Sequence, residues 1–120
     1  MQFSKKDDVY QIVRITGSQD NILGISFGEG DTEVIEWNIK NIDRRKTPTS
    51  KEEVLKQVLS GLKSVNKSLG TNYKLSKIYF AIWDSPEEQV YSSLVKKLIR
   101  HYHNGNKFIS IVIMLNKRID

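Results

Sequence analysis

Two patterns of apolar residues alternate along the chain. Short stretches are rich in β-branched and aromatic residues, whereas in two longer segments apolar residues recur every three or four positions. Side chains on a strand alternate between two faces, and side chains on a helix repeat about every 3.6 residues. Strands are therefore predicted at residues 9–16, 22–27, 32–39, 77–84 and 107–115. Helices are predicted between residues 50 and 70 and between residues 85 and 105.

Polar residues and glycines mark the ends of both predicted helices. Ser50 and Glu53 have the spacing of a capping box, in which each side chain can bond the other residue's amide. Gly70 is placed to end the first helix in the left-handed conformation. The second helix is predicted to begin at Ser85, a favoured N-cap residue, and to end near Gly105.

The element order β-β-β-α-β-α-β predicts an α+β fold. Short turns after the first two strands favour a three-stranded antiparallel meander, and a helix between the last two strands makes them parallel. A chain of 120 residues has the usual size of one domain. We therefore expect a single domain over residues 1–120, with a mixed five-stranded sheet (the meander, then β-α-β) and two helices.

Composition excludes several kinds of site and favours one location. The sequence has no cysteine, so disulfides, thiolate metal sites and cysteine nucleophiles are excluded together. No apolar stretch approaches the roughly 20 residues needed to cross a membrane, and the polar residues 1–8 do not have the pattern of a signal peptide. We expect a cytoplasmic protein with no membrane contact.

The net charge of +5 is distributed unevenly, which suggests two different surfaces. Up to Pro48 there are 7 basic and 8 acidic residues, and from Thr49 onward there are 12 basic and 6 acidic residues. Acids in the first three predicted strands and their turns would suit docking to a charged protein partner if they shared a surface. These partner-binding candidates are Asp20, Glu29, Asp31, Glu33 and Glu36.

The predicted helices carry basic residues on the faces opposite their apolar stripes. The first helix contributes Lys56, Lys63 and Lys67, and the second contributes Lys96, Lys97 and Arg100. Such stripes are expected on any solvated amphipathic helix. They become one phosphate-binding surface only if both helices lie side by side on the same face of the sheet. The sequence leaves that arrangement open.

The element order also resembles the ribonuclease H-like fold, which begins with three antiparallel strands and then alternates helices and strands. The resemblance implies divalent metals held by carboxylates on the first strand, the fourth strand and the first helix. Asp84 ends the fourth predicted strand, and Glu52 and Glu53 open the first helix. The first predicted strand contains no acid, so one member of the implied metal site is missing.

The remaining candidates for chemistry are two histidines near the end of the second helix. His101 and His103 are two residues apart and diverge on a helix, so we expect cations that end a helix and not a metal site. No glycine-rich phosphate loop is present, and no serine has a histidine in register. We therefore expect no enzymatic activity, no metal and no cofactor.

Three hypotheses for the function follow. The first is a small protein-binding module, most concretely an immunity or antitoxin-like inhibitor that neutralises a bacterial toxin by protein contacts. The second is a nucleic-acid-binding domain on a degenerate ribonuclease H-like fold, with the six basic helix residues on phosphates. The third is a metal-dependent nuclease that uses Asp84 with Glu52 or Glu53.

Overall fold

The computed structural model describes residues 1–15, 20–37, 50–81 and 89–110. In chain order, its elements are β1 (Gln2–Lys6), β2 (Val9–Ile15), β3 (Asp20–Phe27), β4 (Glu33–Trp37), α1 (Lys51–Leu69), β5 (Leu75–Ala81), α2 (Val90–His103) and β6 (Ile109–Ser110). The predicted α+β class and the two helices are confirmed. No described helix is long and apolar enough to cross a membrane.

The strand β1 was not predicted, so the described part of the sheet has six strands instead of the five expected. It pairs with β2 in an antiparallel hairpin, in which Ser4 lies opposite Gln11. Asp7 takes the left-handed backbone conformation (φ 53°) that a two-residue hairpin turn uses at its first position. Residues 2–6 show no alternation of apolar and polar residues, because only Phe3 supplies a large apolar side chain within β1. The sequence pattern therefore did not indicate this strand.

The predicted antiparallel meander is correct for its first two strands, β2 and β3, but wrong for β4, which does not pair with β3. The strand order is β4-β5-β3-β2-β1-β6, so β5 lies between β3 and β4. The connection over residues 28–32 can reach this far, because five extended residues span roughly 16 Å and two strand spacings take about 10 Å. The interior position suits β5, where Leu75, Ile78 and Phe80 are buried, whereas Glu33 and Glu36 leave β4 better fitted to the edge.

The prediction that the last two strands are parallel neighbours is also wrong. The strand β5 is parallel to β4, so the β-α-β unit contains α1 and not α2. After α2 the chain crosses to the opposite edge, where β6 pairs with β1 in parallel. Four strands thus precede the first helix, and the element order on which the resemblance to the ribonuclease H-like fold depended is not the one observed.

Both ends of α1 follow the prediction. The Ser50 hydroxyl oxygen accepts a hydrogen bond from the Glu53 amide (3.3 Å), and Gly70 ends the helix with φ 68°. The Glu53 carboxylate does not return this bond and accepts one from Gln57 Nε2 instead (3.0 Å). The predicted beginning of the second helix at Ser85 lies outside the described residues, and α2 is described from Val90.

Both helices pack on one face of the sheet and share a single core with it. Their apolar stripes meet alternate residues of the central strands, as the strand period requires. The sheet contributes Ile12, Leu23, Ile25, Leu75, Ile78 and Phe80, while the helices contribute Val54, Val58, Leu62, Val65, Val90, Tyr91, Leu94, Val95, Leu98 and Ile99.

The opposite face of the sheet carries a smaller apolar cluster of Val13, Ile22 and Ala81, against which Trp37 packs. The Trp37 indole reaches across β5 to β3, stacking on Tyr79 with the ring centroids 5.3 Å apart. A Cβ on Gly24 would lie only 2.8 Å from Trp37 Cη2, so any larger residue there would force the Trp37 indole to shift. The side chains of Ser4, Gln11 and Ser26 are fully buried on this face, and their polar atoms have no hydrogen-bond partner within the described part of the chain.

Candidate functional site

The helices α1 and α2 lie side by side and run in the same direction. Near their beginnings, Gln57 Oε1 accepts a hydrogen bond from the Tyr91 amide (2.9 Å), across a separation of 34 residues. One turn further on, Gly61 faces Val95, which is the same separation along the chain. Residues that differ by about 34 in number therefore stand at the same height on the two helices.

This packing brings the basic residues of both helices to one outer surface. We call Lys56, Lys63, Lys67, Lys96, Lys97 and Arg100 the basic helix face. Lys96 is half-buried and the other five are exposed. By the separation of 34, Lys63 and Lys97 stand at the same height, with Lys67 and Arg100 about one turn beyond. The arrangement required for one phosphate-binding surface is thus present.

Among the residues of the two helices, acids occur only in the first turn of α1, where Glu52 lies four positions before Lys56. After Glu53, neither α1 nor α2 contains an aspartate or a glutamate. Like charges at this spacing repel one another weakly, so they do not stabilise the helices. The face is therefore held in place by the apolar packing beneath it, and its charges are available to a ligand.

The acidic candidates are divided between the two ends of β3. Asp20 begins this strand, whereas Glu29 and Asp31 lie in the connection that follows its other end. The eight residues of β3 separate the two ends by roughly 23 Å. Glu33 begins β4 beside the same connection, so Glu29, Asp31 and Glu33 form a group of exposed acids from which Asp20 is distant.

Lysines offset part of this acidic group. Glu29 Oε2 lies 3.1 Å from Lys74 Nζ, and Glu33 is the register partner of Lys77 on β5. Opposite charges on neighbouring strands attract each other modestly, by about 0.2–1 kcal/mol. Glu36 is exposed on the other face of β4, beside Phe80. The acids thus form a weaker and more mixed surface than the basic helix face.

The carboxylates proposed for a nuclease are not brought together in the described part of the chain. Glu52 and Glu53 are exposed on the first turn of α1, and Asp84 lies outside the described residues. Among the described residues, no group of three or more aspartates, glutamates or histidines could hold a metal ion.

The two histidines diverge as predicted and contact different neighbours. His101 points inward, where its ring stacks on Phe3 with the centroids 3.7 Å apart and its Nε2 bonds the Lys107 carbonyl oxygen (2.7 Å). His103 is exposed, and its Nδ1 lies 2.8 Å from the Tyr73 hydroxyl. Tyr73 is 30 residues away in the chain, so no local spacing in the sequence could have indicated this pair.

Comparisons with known proteins add no relative to this description. No protein-family model matches the chain, and neither a curated protein nor a solved structure matches it.

Proposed function

We propose that the protein is a non-enzymatic nucleic-acid-binding module that contacts phosphates through the basic helix face. The observation that carries this proposal is the side-by-side packing of α1 and α2, which joins two cationic stripes whose helices carry no acid after Glu53. Lysine and arginine on such a surface replace the counterions of a phosphate backbone, and counterion release is favourable.

The dimensions of the basic helix face support a small footprint. Lys56 and Lys67 are 11 positions apart in α1, which corresponds to roughly 17 Å along the helix axis. Contacts from all six cations would give a slope of log K against log salt of about −4 to −5. Binding governed by phosphates alone is weak at physiological salt, with Kd on the order of 10⁻⁴ to 10⁻⁶ M.

The test compares two variants that change the net charge equally. In the first, Lys63, Lys67, Lys97 and Arg100 are replaced by glutamine. In the control, Lys5, Lys6, Lys74 and Lys77, which lie outside the helices, are replaced by glutamine. Affinity for a labelled 20-nucleotide strand and for its duplex is measured by fluorescence anisotropy over a series of salt concentrations.

We expect the helix variant to flatten the slope of the salt dependence by about 3 and to lose most of the low-salt affinity. The control variant should retain most of both. Equal losses in the two variants would show that only net charge matters, and no binding by the unaltered protein at low salt would refute the proposal.

A second candidate function is the protein-binding inhibitor of a bacterial toxin, supported by the group formed by Glu29, Asp31 and Glu33. These exposed acids stand beside β4, the strand at one edge of the sheet. A tagged protein should then capture one stoichiometric partner from a lysate even after nuclease treatment. Replacing the three acids by glutamine should abolish that capture, whereas the helix variant should preserve it.

A cytoplasmic location is part of both proposals. The lack of cysteine is compatible with a reducing compartment, where thiols gain nothing from disulfide formation. Nucleic acid and a toxin acting inside the cell are both encountered there. Fractionation of the source cell, followed by immunodetection of the protein, tests this location.

A further inference from the structure

An exposed aromatic ring stands at the end of the basic helix face. His103 is the last residue of α2, and Arg100 precedes it by three positions, or about 4.5 Å along the axis. Lys67 occupies the corresponding last turn of the neighbouring α1. Within the described residues, the only ring in contact with the His103 imidazole is that of Tyr73, which meets it edge-on at 82°. His103 is exposed, and the edge-on contact with Tyr73 does not cover the faces of its imidazole.

Contacts of Tyr73 fix the orientation of the His103 ring. The Tyr73 hydroxyl bonds His103 Nδ1, and the Tyr73 ring packs against Tyr102 and Phe27. The Tyr73 backbone is held in turn by Asn66, whose Oδ1 accepts from the Tyr73 amide (2.9 Å) and whose Nδ2 donates to the Tyr73 carbonyl oxygen (3.0 Å). An exposed side chain that is oriented in this way loses little freedom when a ligand binds.

We propose that His103 is a stacking site for an unpaired nucleobase, so that the ligand of the basic helix face is single-stranded nucleic acid. This inference rests on the proposed function. Cations neutralise the backbone of either a duplex or a single strand, but a duplex keeps its base faces within its own stack. A single strand exposes those faces, and histidine is one of the side chains on which bases stack.

The proposal predicts a preference that electrostatics alone does not give. Four ligands of equal length are compared by anisotropy: single-stranded DNA, single-stranded RNA, the DNA duplex, and an abasic strand that has the phosphates without the bases. Stacking of one base strengthens binding roughly 5- to 150-fold, so the single-stranded DNA and RNA should each bind at least about 5-fold tighter than the abasic strand. The DNA and RNA arms show which of the two sources supplies the base.

Two substitutions at the same position separate stacking from charge and from folding. His103→Ala should reduce affinity for the base-containing strands to that for the abasic strand. His103→Phe keeps an aromatic ring but loses the bond to Tyr73, so it should retain the preference for bases at a reduced factor. Thermal unfolding of both variants, followed by circular dichroism, checks that α2 and the core remain folded.

The failure of this inference differs from the failure of the proposed function. If the unaltered protein binds all four ligands equally, or if His103→Ala keeps the preference for bases, the stacking site is wrong while phosphate binding stands. If no ligand binds at low salt, both are wrong. The four-cation helix variant should lose affinity for every ligand, including the abasic strand.

Discussion

Replacing Gly61 by alanine tests whether close contact between α1 and α2 sets the geometry of the basic helix face. A Cβ at this position would lie 2.5 Å from Val95 Cγ1 and 2.6 Å from the Ser92 carbonyl oxygen. Carbon atoms in ordinary contact are about 3.5–4.0 Å apart, so the overlap is roughly 1 Å. A rotation of Val95 can relieve the first contact but not the second, because Ser92 O belongs to the backbone of α2. The helices must therefore move apart.

Two opposing effects decide the magnitude. Alanine is favoured over glycine within a helix by about 1 kcal/mol, which stabilises the variant. Overpacking a buried site costs about 1–3 kcal/mol, and a backbone obstacle places Gly61→Ala near the upper end. We expect a net loss of about 1–2 kcal/mol in the free energy of unfolding, measured by urea denaturation. The folded variant should also bind single strands more weakly, because its two rows of cations stand further apart.

Ser60 provides the matched control, since it is exposed on the same helix one position earlier. Ser60→Ala gains helix propensity without entering the interface, so it should stabilise the protein by a few tenths of a kcal/mol, or about 0.5 kcal/mol at most. If Gly61→Ala proves as stabilising as an exposed glycine replacement, α1 and α2 are not in close contact. The two rows of cations would then not form one continuous surface.

Three further substitutions test other parts of the fold, each by urea denaturation. Gly24→Ala should displace Trp37, lower the stability by about 1–3 kcal/mol and shift the Trp37 emission to longer wavelength in a Trp83→Phe background; unchanged emission would contradict this packing. Gln11→Met removes a buried amide that has no partner among the described residues and should leave the stability unchanged or raise it by about 1 kcal/mol, so a clear loss would reveal an unrecognised partner. Gln57→Leu removes the acceptor at the first turn of α2 and should cost about 1–2 kcal/mol, and no loss would show that this bond is dispensable.

Local structure was predictable wherever residues close together in the sequence determine it. Ser50 bonds the amide three residues later and Gly70 adopts the left-handed conformation, so both ends of α1 follow from residue type. The apolar spacing of both helices likewise identified which of their faces are buried. None of these features requires knowledge of any residue more than a few positions away.

Strand order was not predictable by the same means. A short connection favours a hairpin between consecutive strands, but it can also span one intervening strand, as residues 28–32 do between β3 and β4. The sheet gains by placing β5 in the interior, because that strand buries Leu75, Ile78 and Phe80, while β4 leaves its glutamates in water at the edge. The competition between β4 and β5 for the interior position involves strands about 40 residues apart. The sequence of the connection therefore does not reveal its outcome.

The candidate site combines both situations. Helical periodicity identified each cation of the basic helix face. Whether these cations share one surface depends on the close contact between Gly61 and α2, which helical periodicity cannot predict. The ring at the end of that face depends on a longer relation still, between Tyr73 and His103. A histidine that ends a helix is usually explained by the helix dipole alone. Here Tyr73 also holds the His103 imidazole in one orientation beside Lys67 and Arg100, where a base can stack and its phosphates can meet the cations.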